Sequence, residues 1–391
     1  MQDHLVGGRA LPALPRSVLE PAGPGGEPPR LTAVRATPLQ LSPYPLWYTL
    51  LWPWFFRRPS TANRTGMPIL PRRFQRAEAG GQPTIRLCAI GDILPMQRDR
   101  IPVFDPALQR LFATADLIVG TCEAAIGRPD CDPTTEYGFT FNMPAAYLRA
   151  LIERSGAPPE RWVLSAANNH SGDIGPDGLA STIGHLRGIG VHPLGARIEG
   201  EPPVAVIERH GLRIGLAGWT HWMNLPEPRA WQTADILAVA WPELRASHRL
   251  DCLIGSGHWE YEWQHFPAAA TRALARRLRG AGFDLLIGSH PHVLQPLEWI
   301  DHALCAYSLG NFCSDIGTGW TAHPPVAARM CNVLTIELGT EGAQRGRVVG
   351  YELHLFVQVD DGERVSLVPL ADAPAQLRDP ITARAAIVLA P

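Results

Sequence analysis

The chain has 391 residues, 46% hydrophobic and 18% charged, with 37 Gly and 38 Pro. That apolar share builds a core and excludes a disordered, collagenous or coiled-coil chain. The net charge of −2 leaves no bulk basic field, so no nucleic-acid partner is expected.

All 35 basic residues are Arg, which excludes lysine Schiff-base and P-loop lysine chemistry. The seven Cys are odd in number and lack a Cys-x-x-Cys pair, so they read as reduced, buried thiols. No basic–apolar–small leader pattern opens the chain, and the expected location is the cytoplasm.

Residues 1–83 carry 14 of the 38 Pro and a local net charge of +6. They read as an irregular extension rather than a packed domain. Inside it lies the aromatic run Tyr44 to Phe56, followed by Arg57 and Arg58. The run is shorter than the ~20 residues a bilayer span needs, and Pro45 and Pro53 interrupt it. Two expectations follow: the arm packs onto the folded domain, or residues 44–58 make a peripheral membrane contact.

From Thr84 the text alternates short apolar runs with helical stretches. The runs are Ile85–Ile90, Asp116–Gly120, Arg161–Ala167, Arg213–Gly218, Asp251–Gly255 and Asp284–Gly288. Helical spacing marks Ala145–Ser155, Gly178–Gly190 and Pro267–Gly282, each closed by Gly as a C-cap. This pattern predicts an α/β fold with buried strands. After Asn311 it turns to strands without helices, at Val333–Leu338, Arg347–Val359 and Val365–Pro369. The expected organisation is an extension over 1–83 and one domain over 84–391, β-rich from about residue 330.

Ligands in α/β sheets bind beyond the carboxyl ends of the strands. Here strand after strand ends in a metal-type ligand: Asp92, Glu123, Asn169 with His170, His258, and His290 with His292. A lone strand-end His is usually a satisfied surface residue; five such strands are not chance. Imidazole with carboxylate and amide oxygen suits Zn, Mn or Fe and not a calcium cage or soft copper site. The set is too large for one tetrahedral ion. It suits two divalent ions sharing a carboxylate, ~3.5–4 Å apart.

Over residues 84–311 the chain resembles the CapA family of capsule-synthesis (poly-gamma-glutamate) proteins. The matching blocks are Gly91-Asp92, Asp116 to Glu123, Ala167 to Gly175, His258-Trp-Glu-Tyr-Glu262, Gly288 to Gln295 and Tyr307 to Phe312. The resemblance implies a calcineurin-like metallophosphoesterase sandwich: two mostly parallel or mixed β-sheets flanked by helices, with metal ligands at strand ends. It implies that Asp92 and His292 hold a first metal and that Glu123 ligates or bridges. Asn169, His258 and His290 would hold a second. His170 would protonate the leaving group or bind the developing oxyanion, with Asp173 fixing its tautomer. Glu262, Tyr307, Ser308 and Asn311 fall in matched blocks and are expected to line the substrate pocket.

The chain departs from the family pattern at four places. Thr121-Cys122 stands where the family has Asn-Leu, Glu260 where it has Gly, and Ser289 where it has His. Leu94 occupies the position of a second His in ordinary metallophosphoesterases. Cys122, beside the proposed centre, reads as a small buried hydrophobe. The function implied is a metal-dependent hydrolase acting on a phosphoester or a gamma-glutamyl-type amide, with an anionic polymer or small molecule as substrate. The alternatives are a non-catalytic capsule-polymer assembly protein and a cytosolic pathway-specific metalloenzyme.

Overall fold

The computed structural model describes residues 42–77, 81–96, 100–127, 140–175, 177–315 and 325–390. Residues 1–41 of the extension and Cys131 lie outside them.

Two sheets form the frame. The first runs in the order β3 (Val103–Phe104), β16 (Val365–Pro369), β15 (Val348–Asp360), β14 (Met330–Gly339), β2 (Thr84–Ile93), β4 (Leu117–Cys122), β5 (Trp162–Ser165), β6 (His192–Leu194). Added to it are β1 (Arg73–Gln75), antiparallel to β15, and β13 (Asn311–Cys313), parallel to β2. The second runs β11 (Leu297–Ile300), β12 (Ala303–Ala306), β10 (Leu285–Ser289), β9 (Cys252–His258), β8 (Leu212–Thr220), β7 (Ala205–Arg209). Strands β2, β4, β5 and β6 are parallel, and so are β8, β9, β10 and β12. The expected sandwich of mixed sheets is therefore the one found.

The described residues also form eight α-helices: α1 (Leu46–Arg57), α2 (Pro106–Ala113), α3 (Ala145–Ser155), α4 (Gly178–Ile189), α5 (Thr233–Ala238), α6 (Trp241–His248), α7 (Ala269–Gly280) and α8 (Ala375–Val388). Local chemistry sets their ends. The Asp105 carboxylate accepts the Ala107 N–H at 2.7 Å and Pro106 opens α2, a paired start signal. Helix α3 stops at Gly156 and α4 at Gly190, both left-handed.

The pleat splits the core in two. Along β2, Leu87 and Ala89 join a core shared with β8, β9 and β10; Cys88 and Ile90 join a second core with α2, α3 and α4. Helix α3 buries Tyr147, Leu148, Leu151 and Ile152 there. Truncating any of these leucines to Ala costs about 2–5 kcal/mol.

The structure differs from the sequence reading in two places. The C-terminal region ends in helix α8, although strands alone were expected. Pro380 sits inside that helix and removes a backbone donor, which argues against helix in a sequence. Burial of Ile381, Ala385 and Val388 outweighs it. The extension is also not irregular throughout, since it supplies α1 and β1.

One glycine is decisive for the site. A Cβ on Gly91 would stand 1.9 Å from the Gly310 carbonyl oxygen. That same carbonyl accepts the Asp92 N–H at 3.0 Å, so glycine lets the chain seat Asp92 against the Gly310 turn.

Candidate metal centre

The carboxyl ends of both sheets meet at one seam. From the first sheet come Asp92 at the end of β2, Glu123 after β4 and Asn169 after β5; from the second come His258 ending β9 and His290 and His292 after β10. All six are buried. Donor atoms of five of them fall into two overlapping groups, Asp92–Glu123–His292 and Glu123–His258–His290, within 4.8 Å in each. Glu123 belongs to both. Glu262 forms a third group with His290 and His292.

Neighbours aim each ring. His258 Nδ1 lies 2.9 Å from Ser289 Oγ, and Nε2 lies 2.8 Å from Asn169 Oδ1 and 3.4 Å from Glu123 Oε1. Asn311 Oδ1 sits 2.8 Å from His292 Nδ1, and its amide nitrogen donates to the Ala328 carbonyl at 3.2 Å. That turns His292 Nε2 toward Glu123, at 3.7 Å. Such outer partners fix tautomer and ring angle. The loop carrying these rings is strained: His290 has φ 96° and His292 φ 56°, and nearby Glu260 and Trp263 are also left-handed. Each costs roughly 1–3 kcal/mol and persists because the surroundings hold it.

The donor set fits cations. Asp92 Oδ1, both Glu123 carboxylate oxygens and His290 Nδ1 are buried without a hydrogen-bond partner among the described residues. Unpaired buried polar atoms are costly unless something satisfies them. Burial pushes the Asp92 carboxyl up to about 7, and burial together with Asp92 and Glu262 pushes Glu123 well up. Burial and then the neighbouring imidazoles hold His258 and His290 well below the ordinary histidine value, and burial lowers His292. Burial thus disfavours charge on carboxyls and imidazoles alike, a cost that a bound divalent ion would offset.

His170 stands beside this cluster, close enough to act electrostatically on His258, His290 and His292. Its Nδ1 is 2.6 Å from Asp173 Oδ2, and its ring stacks on Phe141 at 4.1 Å between centroids. The Phe141 N–H also donates to Asp173, at 2.6 Å. Burial raises the Asp173 carboxyl while His170 and that N–H oppose it.

The structure accounts for the departures from the family pattern. Thr121 Oγ1 and Ser289 Oγ are 3.0 Å apart. Two separate changes in the sequence are one linked hydroxyl pair in space, and its Ser289 end aims His258. The Glu260 carboxylate turns away from the cluster and accepts the Ala268 N–H at 2.7 Å, at the start of α7. Leu94 and Cys122 both pack in the helix-side core. Burial pushes the Cys122 thiol up to about 12, a value for an inert thiol.

Other matched-block residues are held differently. The Tyr307 phenol donates to Glu298 at 2.6 Å, and Ser308 Oγ accepts the Gly310 N–H at 3.1 Å. These bonds fix the loop that carries Asn311. Glu262 faces the extension: Oε1 accepts from the Tyr44 hydroxyl at 2.7 Å and Oε2 from Trp52 Nε1 at 2.5 Å.

Tyr44 is the residue sequence reasoning missed. Its hydroxyl lies 2.6 Å from His290 Nε2, so Tyr44, two residues before helix α1, closes over the centre. The Tyr48 hydroxyl donates to the Glu262 carbonyl, and its ring packs on Tyr261 at 4.4 Å. The aromatic run signalled packing but not its target.

Residues 86–316 match the bacterial capsule synthesis protein PGA_cap family, and the chain belongs to that family. It is 29% identical over 201 residues to the PGA biosynthesis protein CapA of Bacillus subtilis, covering 49% of this chain and 51% of that protein. The capsule biosynthesis protein CapA of Bacillus anthracis matches at 28% over 170 residues, 41% of each chain. The chain thus spans about half the length of these curated relatives. Among solved structures, a novel phosphatase of Mycoplasma pneumoniae aligns with TM-score 0.44 at 15% identity, over 72% of this chain and 96% of that one. A putative 5'-nucleotidase of Staphylococcus aureus aligns with TM-score 0.41 at 13% identity, over 77% and 58%.

Proposed function

We propose that this chain is a metal-dependent hydrolase with a binuclear centre, acting on a phosphoester or gamma-glutamyl-type amide bond in capsule-type polymer metabolism. The observation that carries the reading is Glu123, buried, shared by two donor groups, with neither carboxylate oxygen hydrogen-bonded among the described residues. Asp92 and His292 would hold one ion, and Asn169, His258 and His290 the other, with Glu123 between them. Bound there, two divalent ions such as Mn, Zn or Fe supply Lewis acidity, acidifying a water and neutralising charge on the attacked group.

The remaining steps belong to the side chains. Asp173 holds the His170 Nδ1 proton, so Nε2 is the atom that carries a proton to or from substrate. Protonating the leaving group there is worth roughly 10²–10⁴ in rate. Burial of the seam excludes bulk water and strengthens each charge interaction.

The test is hydrolysis of a generic phosphodiester and of a gamma-glutamyl amide by the full chain with added manganese. Turnover of either, lost in His170→Ala with metal retained, supports the reading. Metal bound with no turnover of either bond rejects it in favour of a second reading, a non-catalytic polymer-binding or assembly protein. One observation favours that second reading: Tyr44 occupies the space beside His290 and Glu262.

A further inference from the structure

Helix α1 is apolar on all sides, yet among the described residues only one side is covered. Tyr48 and Phe56 are buried against the domain, and Trp52 and Phe55 pack on it. The opposite side leaves Leu46 65%, Trp47 55%, Leu50 67%, Leu51 45% and Trp54 57% exposed. Among the described residues these are the large hydrophobic side chains left exposed, and all stand on this one helix. Their spacing of three and four residues makes a continuous stripe. A helix apolar all round is ordinarily covered on every side.

The end of the stripe is basic. Arg57 and Arg58 close the helix and have no ion-pair partner among the described residues, and Arg58 lies over the Trp54 ring at 4.9 Å. No carboxylate occurs in the sequence between Pro28 and Ala77. The same helix on a second copy of the chain would bring no carboxylate to pair with these arginines. An anionic lipid surface complements them, while indole and leucine side chains seat at the headgroup boundary. Twelve residues reach about 18 Å, too short to span a bilayer, so the helix lies in its plane.

We propose that the outer face of α1 is a docking surface for an anionic lipid bilayer. Its inner face meanwhile keeps Tyr44 on the metal centre, so docking sets that centre about one helix diameter, roughly 10 Å, from the lipid. The proposal does not depend on the hydrolase reading.

The experiment is co-sedimentation of the full chain with phosphatidylcholine vesicles, with and without phosphatidylglycerol. The chain is expected to sediment with the anionic vesicles and to be released by salt. Arg57→Gln with Arg58→Gln should weaken partition roughly thirtyfold, at about 1 kcal/mol per arginine. Trp47→Ser with Leu50→Ser should weaken it roughly tenfold or more. These side chains are exposed, so thermal unfolding should not move; if the second pair fails to fold, the arginine pair decides alone. Three results would overturn the proposal: no sedimentation with anionic vesicles, sedimentation indifferent to both pairs, or a lipid-independent dimer that Trp47→Ser with Leu50→Ser dissolves.

Discussion

The two sheets bring opposite chemistry to their seam. The first supplies oxygen donors, in Asp92, Glu123 and Asn169, and the second supplies imidazoles, in His258, His290 and His292. Alone, the oxygen side is two buried carboxyls whose ionisation burial opposes. Alone, the nitrogen side is three rings that burial keeps neutral. Neither half is a good site. At the seam a bound cation would relieve both costs together.

The largest effect should come from breaking the shared point. Glu123→Ala removes the donor common to both groups, and activity should fall roughly thousandfold, the several kcal/mol that metal-assisted charge stabilisation contributes. Steady-state kinetics beside metal analysis checks it; an active variant that keeps its metal would break the comparison.

Next is the aim of the second sheet. Ser289→Ala leaves His258 Nδ1 without its hydroxyl partner and should weaken metal affinity by about 10–100-fold with the fold intact. Titration calorimetry measures this. Thr121→Ala, one bond further away, should do less.

Acidity sharpens the first sheet. Burial pushes the Asp92 carboxyl up to about 7 and, with Asp92 and Glu262, holds Glu123 well above its ordinary value. Metal must displace these protons. Affinity is therefore expected to rise with pH through the region near 7, by about tenfold per unit for each proton released. Below that range it falls, and uptake measured in buffers of different ionisation enthalpy should show protons leaving. Affinity that does not change between pH 5 and pH 7 would contradict the burial argument.

The smallest effect belongs to the cap. Tyr44→Phe removes the hydroxyl from His290 Nε2 and Glu262 but keeps the ring. Metal affinity should drop only a few-fold, because one neutral hydrogen bond contributes roughly 1 kcal/mol. A loss as large as that of Ser289→Ala would make Tyr44 part of the centre rather than its cover.

Much of the seam was legible in the sequence. Short apolar runs ending in Asp92, Glu123, Asn169, His258 and His290 mark strand ends, where backbone geometry already directs ligands. The expected helix at Ala145–Ser155 is the observed α3, since its apolar spacing and its terminal glycine agree. What sequence did not show is long-range pairing. Tyr44 and His290 are 246 positions apart, and Thr121 and Ser289 are 168 apart. No periodicity links such residues; only the closing of the two sheets does. Helix α8 escaped because local proline chemistry argued against it while tertiary burial decided for it.

The most direct measurement is the metal content of the purified full chain and of Glu123→Ala by elemental mass spectrometry. About two divalent ions per native chain, with both lost on removing Glu123, is the expected result for a shared carboxylate. No metal after reconstitution, or metal content that Glu123→Ala leaves unchanged, would contradict it.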